Sequence, residues 1–426
     1  MKHKLRPTSA ALALAFSLAP LTAARADAVT DWNLRSAQIV GEARIGTPPV
    51  VRLMALLQTA AREAVLDATR EQPGQGAAVE AALAGAHRVV LTQLLPDQKT
   101  AVDAAFQSAL AQQADDAERT QQVLIGERAA QRVLTERADD LPKSADTYRP
   151  FAVPGVYVPT AMPAITQWPQ RRTWWLQRAD QLRPAAPQPL TGEGWARDFN
   201  ETRTLGGRDS KARSAELTEI GRFWDYSMPA IYHGVLRAVA LQPGRDVLAN
   251  ARLFATVSQA MDDALIAVFD AKYTYNMWRP VTAIRNGDLD GNAATERDPS
   301  WLPLIETPMH PEYPCAHCIL AGTVATLLEA EGRKQPLPPL FTSSPSANGA
   351  VRRWATPAAF AQEVAQARIV AGVHYRNSTE VGLAMGRSLG EWVLSRQHAA
   401  APRSYPPEVF DALLGKLPGS SSAMGR

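Results

Sequence analysis

The stretch DVLANARLFATVSQAMDDALIAVFDAKYTYNMWRP, residues 246–280, carries a long helical pattern followed by two cations. Its helical periodicity runs over residues 246–276 and predicts one long helix. Pro280 disfavours the helical conformation at Arg279, so we expect the helix to end before that residue. Lys272 then lies near the last turn, and both cations can point into one pocket. Cations are also favoured near helix C-termini, so this stretch alone does not define a site.

Helical patterns occupy most of the remaining chain. Between residues 47 and 136 an apolar stripe repeats at three- and four-residue steps, and Pro73-Gly74 and Pro96-Asp97 interrupt it. Four helices with short connections imply antiparallel neighbours, which predicts a helical bundle. Further helices are expected at residues 209–226, 229–241, 316–332, 357–371 and 374–397. Because no convincing alternating strand pattern and no internal repeat is found, we expect an all-α fold of helical bundles.

The charge balance argues against a nucleic-acid partner. The 426 residues include 45 Lys and Arg and 42 Asp and Glu, a formal charge of +3. Four of the basic residues lie in residues 1–26, which contain no acidic residue. Without this leader the positive excess disappears, so no basic patch for nucleic acid is expected.

The leader itself has the pattern of a secretory signal peptide. Lys2, Lys4 and Arg6 form a positive start, residues 10–21 are apolar, and residues 24–26 read Ala-Arg-Ala, a cleavage pattern. We therefore expect residues 1–26 to be removed and the protein to be exported, to the periplasm or outside the cell. No later stretch is apolar for long enough to predict a transmembrane span.

The composition divides the exported chain into three parts. Residues 27–140 are expected to form an N-terminal helical bundle, and residues 194–426 a second helical region with the candidate site. Between them, residues 141–193 are rich in Pro and include Trp168, Trp174 and Trp175. A flexible linker has little reason to expose tryptophan, so an ordered connecting arm on the surface is favoured.

A second segment with candidate site residues reads His310-Pro-Glu-Tyr-Pro314-Cys-Ala-His317. Pro314 suits the first turn of a helix, where its missing N–H costs nothing. His317 would then lie in that turn, where free backbone N–H groups attract anions.

Cys315 and Cys318 are the only cysteines of the chain. A thioredoxin-like redox motif would need a βαβ pattern around it, and a zinc site would need a second ligand pair. Neither is found, so a helix first-turn cysteine with a buried neighbour is the favoured interpretation. The redox state of the pair stays open.

A third segment reads Arg368-Ile-Val-Ala-Gly372-Val-His374-Tyr-Arg-Asn-Ser378. On one straight helix, Arg368 and His374 would lie on different faces. Gly372 offers a break that brings them to the same site. Ser378, one turn beyond His374, can orient the imidazole.

Together the three segments supply three cations, two histidines and a helix N-terminus. That set predicts a receptor for a tetrahedral oxyanion, with a ligand or nucleophile and a separate acid.

The three-part pattern Lys-x6-Arg-Pro, Pro-x-x-His and Arg-x5-His resembles the vanadium-dependent haloperoxidase and type-2 phosphatidic acid phosphatase superfamily. The flanking Thr307-Pro-x-His-Pro-Glu-Tyr-Pro314 is similar to soluble bacterial haloperoxidase-like members. The resemblance covers roughly residues 194–390, and it implies paired four-helix bundles. It also implies vanadate as cofactor, although phosphate can occupy the same site.

The resemblance implies a role for each matching residue. His374 would be the axial vanadium ligand, or the phosphorylated nucleophile of a phosphatase, and His317 the general acid–base. The side chains of Lys272, Arg279 and Arg368 would bind the equatorial oxygens, with the backbone N–H of Ala316. Cys315 occupies the position of the serine that usually helps to bind the anion.

Three functions follow from the resemblance. The leading hypothesis is a haloperoxidase that oxidises halide with hydrogen peroxide. An acid phosphatase that hydrolyses a phosphate ester through a phosphohistidine is the alternative, although the simpler phosphatases are shorter or carry membrane helices. A catalytically weakened oxyanion-binding homologue is the third. The oligomeric state is not predicted.

The halide preference and the strength of the site rest on five positions. The family tends to carry histidine at the position of His310 in bromoperoxidases, and tryptophan at the position of Phe269 in chloroperoxidases, so bromide or iodide is favoured. Cys315-Ala316 replaces the usual Ser-Gly, and Ser378 replaces the usual aspartate. Because serine stabilises a charged imidazole less than a carboxylate does, we expect a weakly oriented His374 and weak vanadate binding.

Overall fold

A computed structural model describes residues 27–111, 113–114, 116–140, 147–159, 161–226 and 229–400, without the side chains of residues 398–400. The predicted signal peptide lies outside the described residues. So does the last part of the second helical region, residues 401–426.

The predicted all-α fold is confirmed, with 64% helix and 4% strand. The α-helices in the described part of the chain are α1 Ala28–Glu42, α2 Thr47–Glu71, α3 Gly76–Leu94, α4 Lys99–Leu110, α5 Ala117–Glu136, α6 Glu193–Gly206, α7 Ala215–Phe223, α8 Pro229–Ala240, α9 Val247–Tyr275, α10 Pro280–Arg285, α11 Ala316–Gly332, α12 Pro357–Val370 and α13 Arg376–Ala400. Strands β1 Leu340–Ser344 and β2 Ala350–Trp354 form an antiparallel pair. Short 3₁₀ helices cover Pro96–Gln98, Trp168–Gln170, Ala179–Leu182, Gly287–Leu289 and Pro345–Ala347.

The N-terminal bundle contains the four helices expected between residues 47 and 136, preceded by α1. Helices α3 and α5 cross where two glycines face the opposite backbone. A Cβ atom at Gly126 would overlap the carbonyl oxygen of Ala82, and one at Gly85 would overlap that of Val123. Since only glycine permits this approach, the two positions fix how closely the helices pack.

Helix α9 lies at the centre of the molecule. It is capped by Asp246, whose carboxylate accepts a hydrogen bond from the Ala249 N–H at 2.6 Å. One continuous core joins α9 to both halves, with Leu57 of α2, Val268 of α9 and Ile319 of α11 among its buried members. The cations at the end of α9 are therefore held by a rigid, buried element.

The described residues of the Pro- and Trp-rich segment pack against α9. The backbone N–H groups of Trp174, Trp175 and Leu176 all donate to the carboxylate of Asp263, at 2.7 to 2.9 Å. Trp168 is buried in the same core. A buried carboxylate bound by three N–H groups fixes the backbone of this segment.

Some elements differ from the sequence prediction. Helix α7 begins at Ala215 instead of residue 209, because Ser214 caps it by accepting from the Leu217 N–H at 3.1 Å. Helix α6 was not predicted. The β1–β2 hairpin was also missed, although Asn348-Gly349 is a turn signal and both residues have positive φ. Its five-residue strands are too short for a clear alternation.

Among the described helices, none combines the length and the apolar character needed to cross a membrane.

Candidate anion-binding active site

The end of α9 delivers the first two cations to one pocket, as expected. Asn276 adopts the left-handed conformation and ends the helix, and Arg279 is extended ahead of Pro280. Lys272 is fully buried, and its Nζ donates to the carbonyl oxygens of Pro311 at 2.9 Å and Glu312 at 2.8 Å. An ammonium has three N–H groups, so one remains for another acceptor.

Arg279 connects the second and third sequence segments. Its Nε donates to the His310 carbonyl at 2.9 Å, and one terminal nitrogen donates to the Val373 carbonyl at 2.8 Å. That nitrogen is also 3.3 Å from Nε2 of His374, and the other is 3.0 Å from Nδ1 of His310. The guanidinium therefore lies between both histidine-bearing loops.

The second segment differs in detail from the prediction. Helix α11 begins at Ala316 with Cys315 as its N-cap, so Pro314 precedes the helix instead of occupying its first turn. The Tyr313–Pro314 peptide bond is cis, which turns the chain before the cap. His317 lies in the first turn, as expected, and the N–H of Ala316 has no intrahelical acceptor there.

Cys315 and Cys318 lie at the start of α11 and are both buried, and they form a disulfide, the redox state that the sequence left open. Three-residue spacing across the first turn brings the Cα atoms to 5.3 Å, within disulfide range. Sγ of Cys315 also accepts from the Cys318 N–H at 3.2 Å. A disulfide sulfur carries no proton, so Cys315 in this state donates no hydrogen bond to an anion.

The third segment turns as expected at Gly372. Its φ is +79°, and a Cβ there would overlap the Gly206 carbonyl, so glycine is required. The turn brings Arg368 and His374 into the same pocket, where the N–H of His374 donates to the Arg368 carbonyl at 3.3 Å. Arg368 is anchored by one hydrogen bond of 2.6 Å to the Trp224 carbonyl.

Glu312 is the site residue that the sequence reasoning did not assign. Its Oε1 lies 2.7 Å from Nδ1 of His374 and accepts from the Tyr375 N–H at 3.0 Å. Ser378, the expected orienting residue, is 3.4 Å from the same Nδ1. The expectation that His374 has only a serine partner is therefore wrong. The sequence signal for Glu312 was an acidic residue between two prolines, Pro311 and Pro314, in the same segment as His310 and His317.

The hydrogen-bond partners of His374 favour one tautomer of its ring. A proton on Nδ1 faces the Glu312 carboxylate, and this form leaves Nε2 with a lone pair beside Arg279. Burial and then the charges of Arg279 and Lys272 hold the pKa of His374 well below its usual value. Its Nε2 is consequently available as a metal ligand or nucleophile at neutral pH.

The pocket carries concentrated positive charge. Burial, and then the neighbouring Arg279, holds the pKa of Lys272 well below its usual value. Burial lowers the pKa values of Arg279 and Arg368 to about 10. Burial also raises the pKa of Glu312 to about 7, against the opposing effect of Arg279 and Lys272. A bound anion would relieve this repulsion.

His310 and Phe269 lie beside each other at the edge of the site. Their ring centroids are 5.0 Å apart in an edge-to-face arrangement, and both rings are buried or partly buried. The two positions on which the halide expectation rests are therefore in contact.

Unsatisfied buried atoms test whether the pocket fits an oxyanion. Nε2 of His317 and Nε of Arg368 are buried, and neither has a hydrogen-bond partner among the described residues. Together with the free N–H of Lys272 and the helix N-terminus at Ala316, these atoms supply donors to a tetrahedral oxyanion. The residues therefore fit vanadate or phosphate.

Two solved structures share the fold of this chain. The crystal structure of the first bacterial vanadium-dependent iodoperoxidase is similar with a TM-score of 0.70 and 22% identity, over 86% of this chain and 95% of that chain. A holo-type bacterial vanadium-dependent chloroperoxidase is similar with a TM-score of 0.68 and 16% identity, over 82% of this chain and 92% of that chain. The chain thus has the helical haloperoxidase fold.

The sequence comparisons match the part of the chain that carries the site. Residues 252–401 match the VCPO second helical-bundle domain. The vanadium chloroperoxidase of Curvularia inaequalis is 30% identical in an alignment of 142 residues, and the alignment covers 27% of this chain and 23% of that enzyme. The match spans about a quarter of the relative's length. The expected relationship to vanadium-dependent haloperoxidases is confirmed, and the matched domain contains every cation and histidine of the pocket. The wider relationship to the phosphatases stays a prediction.

Proposed function

We propose that this protein is a vanadium-dependent haloperoxidase-like enzyme that oxidises halide with hydrogen peroxide. The observation that carries the proposal is a set of three buried cations, Lys272, Arg279 and Arg368, whose charges all act on His374, with Arg279 3.3 Å from its Nε2. The Nε2 of His317 is buried beside these charges and has no hydrogen-bond partner among the described residues. The phosphatase and the weakened anion-binding homologue remain the alternative outcomes of its test.

Vanadate would be held by the residues that surround this pocket. His374 would bind it through Nε2, and its oxygens would accept hydrogen bonds from Lys272, Arg279, Arg368 and the N–H of Ala316. Bound vanadate would supply a Lewis acid that activates peroxide toward halide. Among the side chains, Arg279 already spans His310 and His374, so its position is set before an anion binds.

His317 would move the proton. Burial, and then Arg368, Lys272 and Arg279, holds its pKa well below the usual value, so the ring is neutral and its Nε2 can accept a proton. An anion in the pocket offsets the positive charge and raises that pKa toward its ordinary value. The same atom can then return the proton.

Bromide or iodide is the proposed halide. The contact between His310 and Phe269 supports this preference, since these are the two positions that distinguish the halide classes in the resemblance. We also propose export of the chain, on the signal-peptide pattern of residues 1–26, with a mature start at Asp27 that mass spectrometry of the exported protein would detect.

The test is a vanadate titration of purified metal-free protein followed by parallel assays. Oxidation of chloride, bromide and iodide with hydrogen peroxide is measured beside hydrolysis of a phosphate ester. We expect vanadate-dependent oxidation of bromide or iodide and little oxidation of chloride. Phosphate ester hydrolysis without halide oxidation would support the phosphatase instead, and vanadate binding without either activity would support the weakened homologue. Efficient chloride turnover would contradict the halide preference.

A further inference from the structure

The carboxylate that orients His374 comes from the loop before α11, not from the helix that follows His374. We propose that Glu312 is a positioning residue, which fixes the Nδ1–H form of His374 and directs its Nε2 lone pair into the anion pocket. The role of that lone pair as a vanadate ligand rests on the proposed function. The placement of the ring rests on hydrogen bonds alone.

The first observation is the hydrogen-bond set of the Glu312 carboxylate. Oε1 lies 2.7 Å from Nδ1 of His374 and 3.0 Å from the donating N–H of Tyr375, the next residue. The acceptor thus binds both the ring and the backbone that carries it. Rotation of the imidazole would break its contact with Oε1, while the N–H of Tyr375 keeps the carboxylate in place.

The second observation is that Glu312 is itself held rigidly. Its side chain is fully buried, its N–H donates to the Met277 carbonyl at 2.8 Å, and its carbonyl accepts from Lys272 at 2.8 Å. The Lys272 side chain on α9 and the Met277 carbonyl just after α9 therefore fix the backbone of Glu312 on both sides. A carboxylate on a fixed backbone orients its partner more precisely than one on a mobile loop.

The third observation concerns the opposite side of the ring. Nε2 of His374 is 3.3 Å from a terminal nitrogen of Arg279, which is always a donor. A proton on Nε2 would face that N–H, donor against donor. Arg279 therefore disfavours the Nε2–H form while Glu312 favours the Nδ1–H form, and both leave the lone pair on Nε2.

The fourth observation explains the serine at position 378. Oγ of Ser378 is 3.4 Å from the same Nδ1, and the side chain is buried. An aspartate there would place a second carboxylate beside that of Glu312, and two adjacent buried carboxylates repel each other. Glu312 and an acid at position 378 are therefore alternative sources of the carboxylate that accepts from Nδ1 of His374. With Glu312 present, the serine at position 378 does not leave His374 without such a carboxylate.

The experiment compares Glu312→Gln, Ser378→Asp and the double variant with wild type. Dissociation constants for vanadate and for inorganic phosphate are measured by calorimetry on metal-free protein. Glu331→Gln is the matched control, since Glu331 lies at the far end of α11 and pairs there with Arg245 and Lys334. The proton positions on the His374 ring are read from ¹⁵N NMR of the ligand-free protein.

We expect Glu312→Gln to weaken vanadate binding about 10- to 100-fold, the usual effect of losing a partner of a metal ligand. Phosphate affinity should stay within a few-fold or rise, because phosphate contacts the cations and the variant removes a negative charge. Ser378→Asp alone should not tighten vanadate binding. In the double variant, the new aspartate should restore vanadate affinity, and Glu331→Gln should leave both constants unchanged.

Two results would overturn the inference. One is parallel loss of vanadate and phosphate affinity in Glu312→Gln, which indicates general damage to the pocket. The other is an unchanged vanadate affinity together with an unchanged Nδ1–H signal of His374. If wild type binds no vanadate and oxidises no halide, the proposed function fails, whereas the NMR comparison still tests the role of Glu312.

Discussion

His374 is the side chain on which the chemistry of this pocket depends. Its ring lies between an acceptor, Glu312, and a donor, Arg279, so its two nitrogens have different roles. The free Nε2 is the only atom in the proposed mechanism that binds the anion centre covalently, in either candidate reaction. A change at this residue therefore tests the site without deciding between the reactions.

We expect His374→Ala to abolish vanadate-dependent halide oxidation and any phosphatase activity. The variant removes the lone pair at Nε2 but none of the three cations, so inorganic phosphate should still bind. Activity and calorimetry are the measurements, and far-UV circular dichroism shows whether the fold is intact. Retained activity in a folded variant would show that His374 is neither ligand nor nucleophile.

At the level of elements, the N-terminus of α11 combines the cap, the disulfide and the proposed acid. Cys315 caps the helix through its sulfur, and Cys318 ties the cap to the first turn. The resemblance places a serine hydroxyl at position 315. The disulfide leaves the helix N-terminus in place but removes a hydrogen-bond donor from it.

We expect the double variant Cys315→Ser with Cys318→Ala to bind vanadate several-fold more tightly than wild type. A serine hydroxyl can cap the helix and donate to the anion, and one such hydrogen bond contributes about 1 kcal/mol. The matched control is Cys315→Ala with Cys318→Ala, which removes the disulfide without adding a hydroxyl. Titrations run with and without reductant complete the comparison. Equal affinities of the two double variants would show that position 315 does not face the anion.

The crossing of α3 and α5 allows a test of packing far from the site. Gly126→Ala should lower the free energy of unfolding by about 1–3 kcal/mol or more, because the new methyl overlaps the Ala82 carbonyl. Gly76→Ala is the control, since nothing lies within 4 Å of a Cβ there and alanine favours helix. Urea unfolding measures both variants. A neutral Gly126→Ala would mean that the two helices are farther apart than described.

At the level of the whole molecule, one core unites the N-terminal bundle with the site-bearing region. The same cluster contains residues of α2, α9, α11 and α13, so these parts should unfold together. The core also encloses histidines on both sides of the molecule. Burial lowers the pKa of His87 to about 4 and that of His233 to about 3.

These buried histidines make stability depend on pH. The folded protein keeps His87, His233, His310, His317 and His374 neutral, whereas the unfolded chain protonates each near pH 6.5. Stability from these groups is therefore present above pH 6.5 and lost as the pH falls below it. Asp263 and Glu312 have the opposite effect on stability, because burial raises both pKa values to about 7 and folding then favours their protonated forms. These two carboxyl groups are fewer than the five histidines.

We expect the free energy of unfolding of the anion-free protein to fall between pH 6.5 and pH 5.5. Each net proton taken up on unfolding contributes about 1.4 kcal/mol per pH unit. Urea unfolding at several pH values in phosphate-free buffer measures the slope. Equal or higher stability at pH 5.5 would show that the buried carboxyls outweigh the histidines.

Local sequence signals were sufficient for most of the helices and for most of the pocket. Periodicity and proline positions predicted α9 and its end before Arg279, because these depend on neighbours within a few residues. Gly372 was predicted as a break for the same reason, and its positive φ is what only glycine adopts readily. The three cations and two histidines were therefore assigned from spacing before any contact was known.

The tertiary structure alone decided which groups complete the site. Glu312 and His374 are 62 residues apart along the chain, so no local pattern indicates their 2.7 Å contact. From the sequence, Ser378 was expected to orient the His374 ring, because the two residues are one helical turn apart. A sequence indicates contacts between residues one turn apart but not contacts between distant segments. Long-range packing places the loops that contain Glu312 and His374 together at the end of α9, and the Glu312 carboxylate thereby becomes part of the site.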